Sequence, residues 1–95
     1  MDVRLSEKEI DCLKRSLARL DPDARLYLFG SRTDPAKRGG DIDLLIRSKR
    51  LTRNSLRRLR LDFFAEFGEQ KLDIVIDRGE SDPFIDLIRK KAVEL

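Results

Sequence analysis

The 95-residue sequence predicts an α+β fold, an α/β sandwich in which a small sheet is flanked by helices. Three observations predict it. Hydrophobic periodicity runs in the order helix, strand, strand, helix, strand, helix; Gly, Pro, Asp and Ser punctuate the breaks; and no internal repeat or low-complexity tract interrupts the series. The length suits one domain, residues 1–95, with one modest core, because small domains bury a smaller fraction of their surface than large ones.

Ser6 and Glu9 have the spacing of a capping box, and Ile10, Leu13, Leu17 and Leu20 recur at helical intervals behind them. A first helix follows, stopped by Asp21-Pro22-Asp23. Arg25–Phe29 reads as a short strand with Leu26 and Leu28 on one face and Tyr27 and Phe29 on the other. Residues 32–40 are polar and broken by Pro35, Gly39 and Gly40, which is loop chemistry. Residues 41–46 alternate two carboxylates with apolar side chains, as a largely buried strand does. Over residues 52–67, Leu56, Leu59, Phe63, Phe64 and Phe67 keep helical spacing, and Gly68 supplies the stop. Residues 72–76 form the third strand. From Ser81 or Asp82 to about Glu94 a closing helix is expected, with Phe84, Ile85, Ile88 and Ala92 on its apolar face.

Composition excludes several chemistries. Without histidine the chain builds no His-dependent zinc site, no Ser-His-Asp triad and no imidazole acid or base. Carboxylates, hydroxyls, lysines and metals remain. Cys12 lies in the first helix and reads as a packing residue, since one cysteine forms no internal disulfide. The net charge of +3, from 21 basic and 18 acidic residues, suits a phosphate-bearing ligand without implying a protein that coats nucleic acid. No apolar run approaches the roughly 20 residues needed to cross a bilayer, and the start of the chain lacks a signal-peptide pattern, so a cytoplasmic location without membrane contact is expected. Residues 47–60 carry seven basic side chains and no acid, read first as a solvated helix face and second as a surface for RNA or an acidic partner.

In Asp41-Ile42-Asp43 a strand's period of two sends both carboxylates to one side. Placing two anions together at the head of an apolar strand costs repulsion and desolvation unless a cation sits between them. All-oxygen ligands favour a hard ion, Mg²⁺ or Mn²⁺. Gly30-Ser31, at the end of the first strand, reads as an ordinary turn or as a phosphate cradle whose missing Cβ admits a close approach. Asp73, inside an apolar strand, needs a partner: an arginine, or a metal shared with Asp41 and Asp43. Arg32, Lys37 and Arg38 in the loop read either as solvated cations or, Arg32 first, as groups that reach a triphosphate.

Taken together, Gly30-Ser31, the polar loop, Gly40-Asp41-Ile42-Asp43 and the later strand aspartate resemble the nucleotidyltransferase superfamily of DNA polymerase β. The short length and the Leu-Phe-Gly-Ser to Asp-Ile-Asp-Leu-Leu-Ile stretch look most like the minimal nucleotidyltransferases, antitoxins often encoded beside a HEPN-domain toxin. The resemblance implies that fold, with a small mixed sheet, and a nucleotide site of Gly30, Ser31, Arg32 and Gly40. It also implies that Asp41, Asp43 and Asp73 hold Mg²⁺ or Mn²⁺ and act in catalysis, with ATP as substrate. AMP transfer to a hydroxyl on a HEPN-domain partner is the expected activity. The alternatives are a small-molecule nucleotidyltransferase acting as a dimer and a binding antitoxin or adaptor without catalysis; a nucleic-acid-binding module ranks last.

Overall fold

A computed structural model describes residues 5–30 and 42–95. Among them the chain forms α1 (Glu7–Leu20), β1 (Arg25–Phe29), β2 (Ile42–Arg47), α2 (Arg53–Phe67), β3 (Leu72–Asp77), α3 (Pro83–Lys91) and β4 (Val93–Glu94). The Ser6 and Glu9 capping box closes reciprocally at the start of α1, each side chain accepting from the other's backbone amide. Thr52 and Ser55 do the same for α2, and Gly68 ends it at a φ of 83°. Asp82 caps α3 with Pro83 in the first turn, and Arg89, Lys90 and Lys91 complement the dipole at its other end.

The sheet order is β3-β2-β1-β4, with β2 parallel to β3 and β1 antiparallel to both β2 and β4. This is a mixed four-stranded sheet in an α+β fold, as expected. One expectation fails at the last element. The closing helix stops at Lys91 rather than near Glu94, Ala92 is extended, and Val93 and Glu94 pair with Leu28 and Tyr27. The edge of β1 otherwise leaves amides and carbonyls unpaired, and β-branched Val93 suits a strand; Leu95 N–H then donates to Leu26 O at 2.9 Å. Phe84 is a second correction. It is 60% exposed, because one helix lying on a sheet buries only a narrow stripe, here Ile85 and Ile88 with Ala92 beside them.

The two faces of the sheet differ. Leu26, Leu28, Ile42, Leu44, Ile46 and Leu72 point to one side and pack with Cys12, Leu13 and Leu17 of α1 and Leu59 and Phe63 of α2. Ser16 Oγ donates to Asp62 Oδ2 at 2.6 Å and clasps the two helices, and Arg58 pairs with Asp62 at 3.4 Å. On the other face α3 covers the middle row, Tyr27, Leu45 and Val75. Among the described residues no helix is long and apolar enough to cross a membrane.

Candidate functional site

Strand register organises the α3 face into rows. Phe29 faces Asp43 and Asp43 faces Asp73 at one end; Tyr27, Leu45 and Val75 form the middle; Arg25, Arg47 and Asp77 form the other end. The middle row is apolar and lies under α3, whereas the end rows carry charge. β2 and β3 are parallel and in register at Asp43 and Asp73, so their backbones stand roughly 5 Å apart with both carboxylates leaving the same side. Ile42 N–H donates to Lys71 O at 3.0 Å, which carries the ladder past this row and fixes the alignment.

Gly30 follows Phe29 directly and closes the row. Its φ of 75° lies in the left-handed region, and a Cβ built on it would overlap Asp43 Oδ2. Glycine is therefore required twice, for the turn and for the approach of the Asp43 carboxylate to the backbone. The expected visitor is a phosphate; what the structure places against the bare Gly30 backbone is the Asp43 carboxylate. Asp43 is half-buried and Asp73 exposed, so a soluble ligand reaches the pair.

Two of the expected metal ligands are thus brought side by side. Ser31, Arg32, Lys37, Arg38, Gly40 and Asp41 lie outside the described residues. Among the described residues no group of three or more potential ligands assembles, and Asp43 with Asp73 contributes two carboxylates. The donor set is oxygen alone, which fits Mg²⁺ or Mn²⁺ and disfavours softer ions. Phe29, facing Asp43 and packed in the cluster under α3, was not singled out in the sequence; the alternation of residues 25–29 places it on that side, but which strand it neighbours follows only from the fold.

The remaining charged positions divide cleanly. Cys12 is buried against Asp62 O, with burial first and the nearby Glu66 next pushing its thiol pKa up, so it is the packing residue expected. Within the basic stretch, Arg58 pairs with Asp62 and Arg60 Nε donates to Leu72 O at 3.2 Å, while Leu59 and Phe63 belong to the core. Asp77, 1% exposed, sits at the far end from Asp73: its Oδ1 accepts from Gly79 N–H at 2.9 Å and its Oδ2 lies 3.7 Å from Arg89 Nε.

A family model described as a nucleotidyltransferase domain matches residues 10–94, a span that takes in both aspartates, Gly30 and every helix and strand except the first turn of α1. No curated protein gives a significant match. With nearly its whole length matched by that model, and with the mixed sheet and helices described above, the chain belongs to the nucleotidyltransferase domain family.

Proposed function

We propose that this chain is a metal-dependent nucleotidyltransferase that moves AMP from ATP to a hydroxyl on a HEPN-domain partner and thereby acts as its antitoxin. The observation that carries the reading is the row of Gly30, Asp43 and Asp73: a bare backbone turn beside two aligned carboxylates, open to solvent. Asp43 and Asp73, with Asp41, would hold Mg²⁺ or Mn²⁺, and Gly30, Ser31, Arg32 and Gly40 would hold the triphosphate.

The acceptor oxygen bonds to the α-phosphorus as the bond between the α-phosphorus and the bridging oxygen breaks, and pyrophosphate leaves with that electron pair. Asp73 accepts the proton of the attacking hydroxyl. A bound divalent ion supplies Lewis acidity, favouring the alkoxide and neutralising charge on the pyrophosphate. Gly30 lets the Asp43 carboxylate lie against the backbone, where any side chain would displace it.

A second reading, a binding antitoxin without catalysis, is favoured by Phe84 and Leu87, which stand 60% and 64% exposed on α3. One experiment separates the two. The tagged chain is co-purified with its partner and incubated with ATP and Mg²⁺, with EDTA as control, and intact masses are recorded for wild type and for Asp43→Asn/Asp73→Asn. A partner that gains adenylyl mass only with the wild type and only with Mg²⁺ supports the transferase. An unmodified partner that both forms bind and neutralise supports the adaptor.

A further inference from the structure

The row opposite Asp43 and Asp73 opens into a cleft of about 560 Å³. Three separate segments bring cations to it: Arg25 from β1; Arg47, Lys49 and Arg50 from the end of β2 and the turn after it; and Arg78 from the turn after β3. Like charges converging on a concave surface repel one another more strongly than on a convex one, since water screens them less.

Three acids, Asp21, Asp23 and Asp77, share the cleft with the five cations, and two of them are engaged by other groups. Asp21 Oδ2 accepts from Ser48 Oγ at 2.6 Å and Oδ1 from Asp23 N–H at 3.0 Å. Asp77 Oδ1 accepts from the Gly79 amide, while its buried Oδ2 makes no hydrogen bond among the described residues and lies 3.7 Å from Arg89 Nε. Among the described residues, Arg25 alone of the five cations has a carboxylate within 4 Å, Glu94 at 3.8 Å. Elsewhere Arg15 pairs with Asp11 and Glu66, and Arg58 with Asp62.

The walls are also built rather than loose. Ser48 Oγ accepts from Arg50 and Leu51 N–H at 3.1 and 3.2 Å, Ser48 N–H donates to Asp77 O at 3.0 Å, and Arg78 Nη2 donates to Leu51 O at 2.6 Å. These bonds tie the turn after β2 to the turn after β3 and fix the backbone that carries the cations. The start of α2 lies just beyond Leu51, and its first turn has no acidic residue to offset the dipole, unlike the first turns of α1 and α3.

We propose that this cleft is a second anion site, distinct from the aspartate row and suited to a ligand carrying two or more linked phosphates. Arginine forks match phosphate oxygens in pairs, and cations spread over several segments fit an extended anion rather than a single ion. Among the described residues no aromatic or aliphatic side chain lines the cleft, which gives a base or a peptide's apolar side chain nothing to pack on there.

The test uses the full chain in EDTA, so that no metal bridges a phosphate to the aspartates, and follows backbone amide resonances. Inorganic triphosphate is expected to shift Ser48, Lys49, Arg78 and Gly79 and to leave Gly30 and Asp73 in place. Arg47→Ala/Lys49→Ala/Arg50→Ala removes side chains that make no hydrogen bond among the described residues, so its spectrum should remain that of the folded chain while affinity falls at least tenfold. Asp43→Asn should bind as wild type does. Shifts at Gly30 and Asp73 instead, affinity unchanged in the triple variant, or equal binding of a hexaglutamate peptide would each overturn the proposal. A short single-stranded RNA that binds more than tenfold tighter than triphosphate, with a steep salt dependence, assigns the phosphates to a nucleic-acid backbone; equal or weaker binding assigns them to a free oligophosphate.

Discussion

The two faces of the sheet are made by the same strands yet do different work. On the side of α1 and α2 every inward residue of β2, Ile42, Leu44 and Ile46, is fully buried among leucines and Phe63. On the side of α3, β2 presents Asp43, Leu45 and Arg47, and only Leu45 is covered. Two helices seal one face from end to end, whereas α3 crosses the other and leaves both its ends open. Stability is concentrated where the sheet is sealed, and polar chemistry where it is not.

That contrast breaks or sharpens under mutation. Phe63→Ala empties the sealed face and should cost about 3–5 kcal/mol in denaturant unfolding, while Ile88→Ala, in the small cluster under α3, should cost about 2 kcal/mol. Equal losses would show that the faces contribute alike. Asp73→Asn should lower nucleotidyl transfer by on the order of 10²-fold or more without lowering the melting temperature, because it relieves repulsion with Asp43. A melting temperature that falls with the rate would make Asp73 a structural residue.

Gly30→Ala forces a Cβ against Asp43 at a positive φ and should cost about 1 kcal/mol of strain with roughly a tenfold loss of rate. Retention of the full rate would mean that Asp43 moves aside without consequence. The smallest effect belongs to the cation end of the sheet. The Ser48 hydroxyl, followed by the Asp23 amide and the charge of Arg50, outweighs burial and holds the Asp21 carboxyl below its ordinary value of 3.8. The stabilisation this provides is present above the unfolded-state pKa and is lost as pH falls from about 4 through the lower folded value. Wild type should therefore exceed Asp21→Asn in stability at pH 6, and the gap should narrow at pH 3; a gap independent of pH would remove Asp21 from the account.

Much of this architecture is written locally. Ser6 with Glu9, Gly68, and Asp82-Pro83 mark helix ends by side-chain chemistry that acts within a few residues, and the structure uses all of them. Alternation in β2 and β3 likewise separates Asp43 and Asp73 from their apolar neighbours before any tertiary contact is known. Partnership across strands is different. That Asp73 stands beside Asp43, rather than a residue or two along, depends on the parallel register of β2 and β3. The strand at Val93 and Glu94 is too short to carry a pattern of its own and exists because β1 offers an edge. Arg25 and Arg78 escape notice as companions of Arg47 for the same reason, being distant in sequence and joined only at the ends of neighbouring strands. Periodicity marks an apolar stripe but does not give the width of the surface that covers it, and Phe84 falls outside that width.

The position of β3 at the edge of the sheet sets a clock on the aspartate row. Among the described residues Asp73 is held beside Asp43 by a ladder on one side only, so fraying of this strand would part the carboxylates while the core around Phe63 stays closed. Hydrogen-deuterium exchange at the amides of β3 then measures how often the pair is disassembled. A ligand bridging both aspartates should slow that exchange selectively, leaving protection in β1 and α1 unchanged.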